Sequence, residues 1–375
     1  LYPVLNLCLE CKACKSECPT GVDMARLKSE FLHQFHARHG VPLRSRLLAS
    51  ADKAALWGSR LAPFSNWILR SEPVRWIGDK LLGVSGQRHV PAATRGTVIS
   101  WWETGGGKGP DTHPGQDSTA TPKIALFADT FTNHYEPRQG IAAVGFAERL
   151  GIQVTVPPRV WCGRPNISKG LLDAARKQAE ATVSTLAPLA GAGLQIVFCE
   201  PGCYSAVKDD HPFLLSGEIK EQAQEISAAC LTFEEWAERV LATRDLVDQE
   251  FCKTTRSSDV PDFAQGPKRI LLHAHCHQKA LGGLGPAMKL LSRIPGSEVI
   301  DSDAGCCGMA GSFGYEKEHY PVSRAVGERK LFPVVRESGP ETVVVAPGVS
   351  CRQQVRHFPG VAPVSAIELI EGLMK

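Results

Sequence analysis

The segment Arg269-Ile-Leu-Leu-His-Ala-His-Cys276 is an apolar run that leads into a cysteine. It predicts a short buried strand at Ile270–Ala274, because a strand covered on both faces has a continuous apolar sequence. An earlier segment, Lys123-Ile-Ala-Leu-Phe-Ala-Asp-Thr130, has the same pattern and predicts a strand at Ile124–Ala128. The pair indicates that one structural unit occurs twice in the chain.

The duplication continues beyond these two segments. Further strands are predicted at Gln153–Val156 and Ile196–Cys199 in the first copy, and at Glu298–Asp301 and Thr342–Ala346 in the second. Helices are predicted at Pro137–Leu150, Lys169–Leu189, 285–293 and 319–336, and capping boxes at Thr232/Glu235 and Ser365/Glu368 begin two more. Matching positions lie about 145–148 residues apart. We therefore predict the α/β class, with two Rossmann-like repeats at 122–255 and 268–375.

The N-terminal part of the chain has a different pattern. Residues 1–95 predict a small helical domain around a cysteine-rich loop. One helix begins at Asp23 and ends near Gly40, and its apolar residues recur at helical spacing: Met24, Leu27, Phe31 and Phe35. Residues 96–121 are rich in Gly, Thr, Ser and Pro and predict a linker.

Composition narrows the classes of function. The chain has 375 residues, a net charge of +3 and no basic run, so nothing indicates a nucleic-acid partner. No apolar stretch is long enough to span a bilayer, which leaves only peripheral membrane contact open. There is no export signal, so we expect a cytoplasmic protein, on or off the inner face of the membrane. The 13 cysteines then favour metal or redox chemistry over disulfides.

The strongest motif is Cys8-Leu-Glu-Cys11-Lys-Ala-Cys14-Lys-Ser-Glu-Cys18-Pro19. This Cys-x2-Cys-x2-Cys-x3-Cys-Pro spacing is that of a bacterial ferredoxin-type [4Fe–4S] ligand loop, in which the fourth cysteine serves another cluster when two are present. A zinc knuckle or free surface thiols are the alternatives. We predict Cys8, Cys11, Cys14 and Cys18 as cluster ligands. The second cluster would require a matching run upstream of Leu1, and we expect the chain to be the C-terminal part of a longer flavoprotein.

The second copy carries a further set of cysteines, each placed after a predicted strand: Cys276, Cys306, Cys307 and Cys351. The carboxyl ends of parallel strands share one edge of a sheet, so these thiols are expected to converge on a metal or iron–sulfur site. The alternative is four buried thiols that pack as small apolar groups. The first copy keeps Cys162, Cys199 and Cys203 but has Thr130 in place of a cysteine, so we expect its site to be degenerate.

Three segments carry a resemblance to a known family: Asp129–Asn133, Cys162–Pro165 and Gly305–Gly311. The chain resembles iron–sulfur proteins with duplicated cysteine-rich (CCG) domains. In particular, it is similar to the C-terminal half of FAD-linked D-2-hydroxyacid dehydrogenases of the D-lactate and D-2-hydroxyglutarate type. It departs from the family where the motif ends in Cys-x-x-Cys, because here Cys351 is followed by Gln354.

The resemblance implies an oxidoreductase component that takes electrons from FAD, on an upstream domain or a flavoprotein partner, and passes them to an acceptor such as a quinone or cytochrome. It also implies an iron–sulfur or zinc site in the second repeat. Several alternatives are open. The chain could be an iron–sulfur subunit of a glycolate oxidase, lactate-utilisation or anaerobic glycerol-3-phosphate dehydrogenase complex. It could instead be a heterodisulfide reductase-like enzyme or a structural zinc module.

Overall fold

Two parallel β-sheets form the centre of the structure, a computed structural model that describes residues 1–107, 123–251 and 263–374. The first sheet has the order β2-β1-β3-β4 and contains β1 (Lys123–Phe127), β2 (Gln153–Thr155), β3 (Gln195–Phe198) and β4 (Cys230–Thr232). The second has the order β6-β5-β7 and contains β5 (Arg269–Leu272), β6 (Glu298–Asp301) and β7 (Thr342–Val345). The three strands of the second sheet therefore repeat the order of the first three strands of the first.

Alternate residues of each central strand enter different cores. Ile124 and Leu126 of β1 share one core with Ile270 and Leu272 of β5, so this core lies between the two sheets. Intervening residues face the outer cores, such as Phe127 in the first sheet and Leu271 in the second. Both faces of β1 and β5 are thus covered, which explains why their sequences are continuously apolar.

Helices surround the sheets and form all of the regular structure described before β1. The N-terminal helices are α1 (Tyr2–Asn6), α2 (Ala13–Glu17), α3 (Met24–His39), α4 (Leu43–Ala49), α5 (Ala51–Arg60), α6 (Phe64–Arg70), α7 (Glu72–Leu81) and α8 (Val98–Glu103). Those of the first sheet are α9 (Thr130–His134), α10 (Pro137–Arg149), α11 (Arg164–Ser168), α12 (Leu172–Gly191), α13 (Pro201–Ser205), α14 (His211–Leu214), α15 (Glu218–Ala229) and α16 (Phe233–Phe251). Those of the second are α17 (Cys276–Leu281), α18 (Gly285–Ser292), α19 (Tyr320–Glu328), α20 (Leu331–Glu337), α21 (Val349–His357) and α22 (Ala366–Leu373). Among the described residues, none of these helices combines the length and apolarity needed to cross a membrane.

The predicted α/β class is confirmed, whereas the division into domains remains a prediction. All six predicted strands are present, displaced by at most two residues, and both capping boxes form. Strand β4 was not predicted, and the helix predicted at 319–336 is two helices, α19 and α20. In the predicted linker, α8 packs on the shared core through Trp101 and Trp102, and the rest of the linker from residue 108 lies outside the described residues.

Helix α3 begins and ends where the sequence predicted, but it buries a different face. Asp23 caps its N-terminus by accepting from the Ala25 and Arg26 amides, and Gly40 ends it with a φ of 81°. The predicted apolar face is partly exposed, with Leu27 at 53%. The buried face instead carries polar residues among others: Ala25, Lys28, Ser29, Leu32 and His36. A polar inward face requires polar partners, and these lie in the cysteine loop.

Candidate metal centre

The N-terminal cysteine run folds as a loop and one short helix. Lys12, with a φ of 62°, precedes α2, which places Cys14 inside the helix and Cys18 at its end. Two sulfur atoms accept from backbone amides: Cys8 Sγ from Glu10 N at 3.5 Å, and Cys14 Sγ from Met24 N at 3.4 Å. Amide donors of this kind stabilise thiolate sulfur in a cluster.

Three of the four cysteines in this run interact with one another. Burial raises the pKa of both Cys8 and Cys11, and each of these thiols also interacts electrostatically with a neighbouring cysteine: Cys8 with Cys11, and Cys11 with Cys14. Cys18 differs, because the Thr20 hydroxyl 3.1 Å away and nearby amides lower its pKa to about 7. The loop therefore brings Cys8, Cys11 and Cys14 together and places Cys18 in a separate, more solvated setting.

The four cysteines of the second repeat converge, as their positions after strands predicted. Side-chain hydrogen bonds connect Cys276 to Cys306, Cys306 to Cys307, and Cys307 to Cys351. The Cys306 hydrogen bond and burial both raise the pKa of Cys276. At Cys351 the hydrogen bond to Cys307 lowers the pKa, but burial outweighs it and the net shift is upward. Four contacting thiols that resist ionisation in the metal-free chain form a donor set suited to a thiophilic metal, since a bound cation compensates thiolate charge.

Backbone geometry explains how two adjacent cysteines join the same group. Asp303 and Gly308, on either side of the Cys306-Cys307 pair, have φ values of 47° and 90°, so the chain turns sharply around the pair. A Cβ on Gly308 would collide with the backbone oxygen of Ser323, which only glycine avoids. Gly308 N also donates to Cys306 Sγ at 3.4 Å.

His273 joins this group, although nothing in the sequence distinguishes it from an ordinary buried histidine. One imidazole nitrogen of His273 and the Sγ atoms of Cys307 and Cys351 all lie within 4.8 Å of one another. Burial lowers the pKa of His273 to about 3, so the ring is neutral. The available sequence signal was its position directly after β5, at the strand end where the cysteines also gather.

Gln354 occupies the place at which the family motif has its last cysteine. It is fully buried. Its Oε1 accepts from Arg88 at 2.6 Å, and its Nε2 donates to Cys307 O at 2.9 Å and to Ser323 at 3.1 Å. Both ends of the amide are thus engaged, and Gln354 supports the backbone of a cysteine instead of offering a ligand atom.

The first repeat brings its cysteines together less completely. Cys162 and Cys203 are buried, with their sulfur atoms 3.0 Å apart, and Cys203 also interacts with Asp129, the residue before Thr130. Cys199 is buried at the end of β3, and burial followed by the charge of Asp129 raises its pKa well above its usual value. No group of three metal-binding side chains forms here within the described part of the chain. Cys230 lies buried in β4, and Cys252 falls outside the described residues.

The cysteine loop lies against the second repeat. Helix α2 packs on α17, and Cys11 is near enough to Cys276 for the two thiols to interact electrostatically. The neighbouring His277 fixes this contact, because its Nε2 lies 2.8 Å from Glu10 O and its Nδ1 lies 2.7 Å from Ser205 Oγ. One imidazole therefore joins the loop and both repeats.

Buried ion pairs connect the loop to the first repeat. Lys12 has no exposed side-chain area, and its Nζ lies 2.6 Å from both Asp209 Oδ2 and Asp210 Oδ1. The two aspartates lie in a π-helical turn, Ala206–Asp210. Arg164 Nη1 also contacts Asp210 at 2.9 Å, and Arg26 Nη2 contacts Asp209 at 2.7 Å.

A cavity of about 350 Å³ opens where these parts meet. Cysteines of three regions line it: Cys8 of the loop, Cys203 of the first repeat, and Cys276, Cys306 and Cys307 of the second. The structure thus brings the predicted cysteines to one place from all three parts of the chain. The set of donors and the space beside it fit a metal cluster.

Comparison with known proteins gives relatives of one chemical kind. The chain is 28% identical over 315 residues, 84% of its own length and 72% of the relative's, to a subunit of the anaerobic glycerol-3-phosphate dehydrogenase of Escherichia coli K12. It is 25% identical over 376 residues to the D-2-hydroxyglutarate dehydrogenase of Haemophilus influenzae, of which it covers only 34%. It is 26% identical over 226 residues to lactate utilization protein A of Macrococcus caseolyticus.

The predicted resemblance to iron–sulfur CCG-domain proteins is confirmed. The chain is an oxidoreductase component of this kind. No protein-family model matches it. It spans about a third of the length of the D-2-hydroxyglutarate dehydrogenases that it matches.

Proposed function

We propose that this chain is the iron–sulfur electron-transfer portion of a flavin-dependent 2-hydroxyacid dehydrogenase. In this proposal FAD, on an upstream domain or a partner flavoprotein, is reduced by the substrate and supplies electrons one at a time. The chain accepts them and passes them to an acceptor such as a quinone or cytochrome. The likeness to D-2-hydroxyglutarate dehydrogenases along 97% of the chain supports this assignment.

The observation that carries the proposal is the contact between the two cysteine sets. Helix α2 of the N-terminal loop packs on α17, which begins at Cys276, and the Cys11 and Cys276 thiols interact. Cys8, Cys11, Cys14 and Cys18 would hold a [4Fe–4S] cluster, and Cys276, Cys306, Cys307 and Cys351 would hold the second metal site. Bound clusters would supply one-electron redox chemistry at both sites. The contact would let electrons pass between them without a further carrier.

The chain's own residues set the conditions for this transfer. The Glu10, Met24 and Gly308 amides donate to cysteine sulfur, which stabilises added negative charge and thus the reduced state. Lys28 lies 3.3 Å from Glu10 and donates to Cys8 O at 2.7 Å, so the buried face of α3 holds the loop in place. The buried setting of Cys307 and Cys351 excludes water from the second site.

A second candidate is a separate iron–sulfur subunit of a dehydrogenase complex. The observation in its favour is coverage, because the chain matches 72% of the length of the glycerol-3-phosphate dehydrogenase subunit. Both candidates use the same two sites and a flavoprotein donor. A disulfide-cleaving enzyme is less well supported, since Gln354 takes the place of the last motif cysteine and both ends of its amide are engaged.

Metal analysis of the anaerobically purified chain tests the proposal. We expect iron, sulfide and broad absorption near 400 nm, and Cys11→Ser should remove roughly one cluster's worth of iron. Cys307→Ser should remove metal from the second site only. Cys230→Ser is the matched control, because Cys230 is also buried but lies in β4 away from both cysteine sets. Iron content that is unchanged in Cys11→Ser, or no iron at all, would contradict the proposal.

A further inference from the structure

His273 is held in a fixed orientation at the strand end of the second sheet. Its backbone N–H donates to Val345 O at 2.8 Å, and its side chain has no exposed area. The Nδ1 atom lies 3.3 Å from Ser302 Oγ. The Nε2 atom has no hydrogen-bond partner among the described residues. A buried nitrogen without a partner is costly, so this lone pair requires an explanation.

The surroundings of His273 offer one. Cys307 and Cys351 place their sulfur atoms within 4.8 Å of a His273 ring nitrogen and of each other. Cys276 and Cys306 lie at the cavity side of the same group of thiols. A neutral imidazole beside thiols is the donor set that zinc and iron sites use.

We propose that Nε2 of His273 is a metal ligand, and that the second site therefore has mixed histidine and cysteine ligation instead of cysteine ligation alone. His273, Cys307 and Cys351 form its inner side, and Cys276 and Cys306 form the side toward the cavity. A hydrogen bond from Nδ1–H to Ser302 Oγ fixes the tautomer that leaves Nε2 free to bind. This ligation supplies the donor that Gln354 does not provide.

The contrast with His211 separates a ligand from a merely buried histidine. His211 is also fully buried, its Nε2 contacts Cys162 O at 2.9 Å, and its Nδ1 has no partner among the described residues. However, the groups of metal-binding side chains in the described part of the chain include His273 and do not include His211. Burial alone therefore does not place a histidine among thiols.

The inference rests on the proposed function only in requiring that the second site holds a metal, and its test does not depend on which metal. Full-length protein purified anaerobically is analysed for iron and zinc, and grown with and without ¹⁵N-labelled histidine. If the site holds iron, pulsed EPR should show a histidine nitrogen coupling that changes with the label. If it holds zinc, absorption at the zinc edge should show a nitrogen ligand at about 2.0–2.1 Å.

Three variants complete the test. His273→Gln should remove the nitrogen signal and weaken metal retention against a chelator on the order of a hundredfold, because even outer partners of a ligand contribute about 10–100-fold. His273→Cys should retain the metal without the nitrogen signal, and with iron it should lower the reduction potential, since histidine in place of cysteine raises it. His211→Gln should behave as the unchanged protein.

A nitrogen signal that survives in His273→Gln would overturn the inference, as would its absence from the unchanged protein or a second site without metal. Zinc in the second site, with the histidine signal present, would instead refute its role in electron transfer while leaving His273 a ligand. The two failures are thus distinguishable. Should His273→Gln not fold, His273→Cys alone decides the question through the nitrogen signal.

Discussion

Replacing Lys12 by methionine should release the cysteine loop from both repeats. Methionine keeps the length and apolar stem of the side chain but removes the charge that lies between Asp209 and Asp210. Lys12 also has a φ of 62°, which a non-glycine residue keeps only when its surroundings hold it. The ion pairs to the π-helical turn provide that support.

Two routes give similar magnitudes for this change. Removing one partner of a buried ion pair costs about 3–5 kcal/mol. Because Arg26 still contacts Asp209 and Arg164 still contacts Asp210, the lower end applies. Separately, burial tends to raise the pKa of Asp209, but Lys12 and its neighbours lower it to about 2. A depression of about 2 units from the usual value corresponds to about 2.6 kcal/mol. We therefore expect Lys12→Met to cost about 3 kcal/mol.

Hydrogen exchange of the full chain at pH 7 measures this cost where it arises. Amides of residues 10–18 and 276–281 should exchange on the order of a hundredfold faster in Lys12→Met. The matched control is Lys317→Met, because Lys317 also lies 2.6 Å from its partner, Asp79, but is 49% exposed. Equal exchange in the two variants would refute the reasoning that burial makes the Lys12 pair strong.

Two further predictions concern other buried polar groups. Burial tends to raise the pKa of Glu316, but its His319 hydrogen bond and the charges of Lys169 and Arg44 lower it to about 2. Its stabilising effect is therefore complete above about pH 4.5 and lost as the pH falls toward 2. Glu316→Gln should cost about 3 kcal/mol at pH 7 and much less at pH 2, measured by urea unfolding; a loss independent of pH would contradict this. Gln354→Ala should cost about 3 kcal/mol because Arg88 loses its shortest acceptor inside the protein, whereas Gln353→Ala, partly exposed next to it, should cost far less by the same measurement.

The sequence allowed prediction of those parts of the fold that depend on local pattern. The strand at Ile270 was visible because both of its faces are buried, and the capping box at Ser365 because its partners lie three residues apart. The face of α3 was predicted wrongly, since Leu27 is exposed and Lys28 is buried. Apolar spacing indicates which side of a helix prefers burial, but here the polar cysteine loop determines which side is covered.

The candidate site was predictable to the same extent. The convergence of Cys276 with the other thiols followed from their positions after parallel strands. The roles of Gln354 and Arg88 could not be predicted, because they contact each other across 266 positions of the sequence. His273 was visible as a residue at a strand end, but only its distance to two sulfur atoms distinguishes it from an ordinary buried histidine.

The carboxylate of Glu200 shows what became of the two copies after duplication. It caps its own helix α13 through Gly202 N, and its other oxygen accepts from Val349 N at 2.8 Å, which begins α21 of the second repeat. Counting 148 residues on, the separation of Cys203 and Cys351, the counterpart of Glu200 is Gly348, which has no side chain to return the bond. The second copy kept the fuller set of thiols, and the first copy kept a carboxylate that both helices use. Cutting the gene between the copies would therefore yield two unequal fragments, of which the second would lack the cap of the helix that carries Cys351.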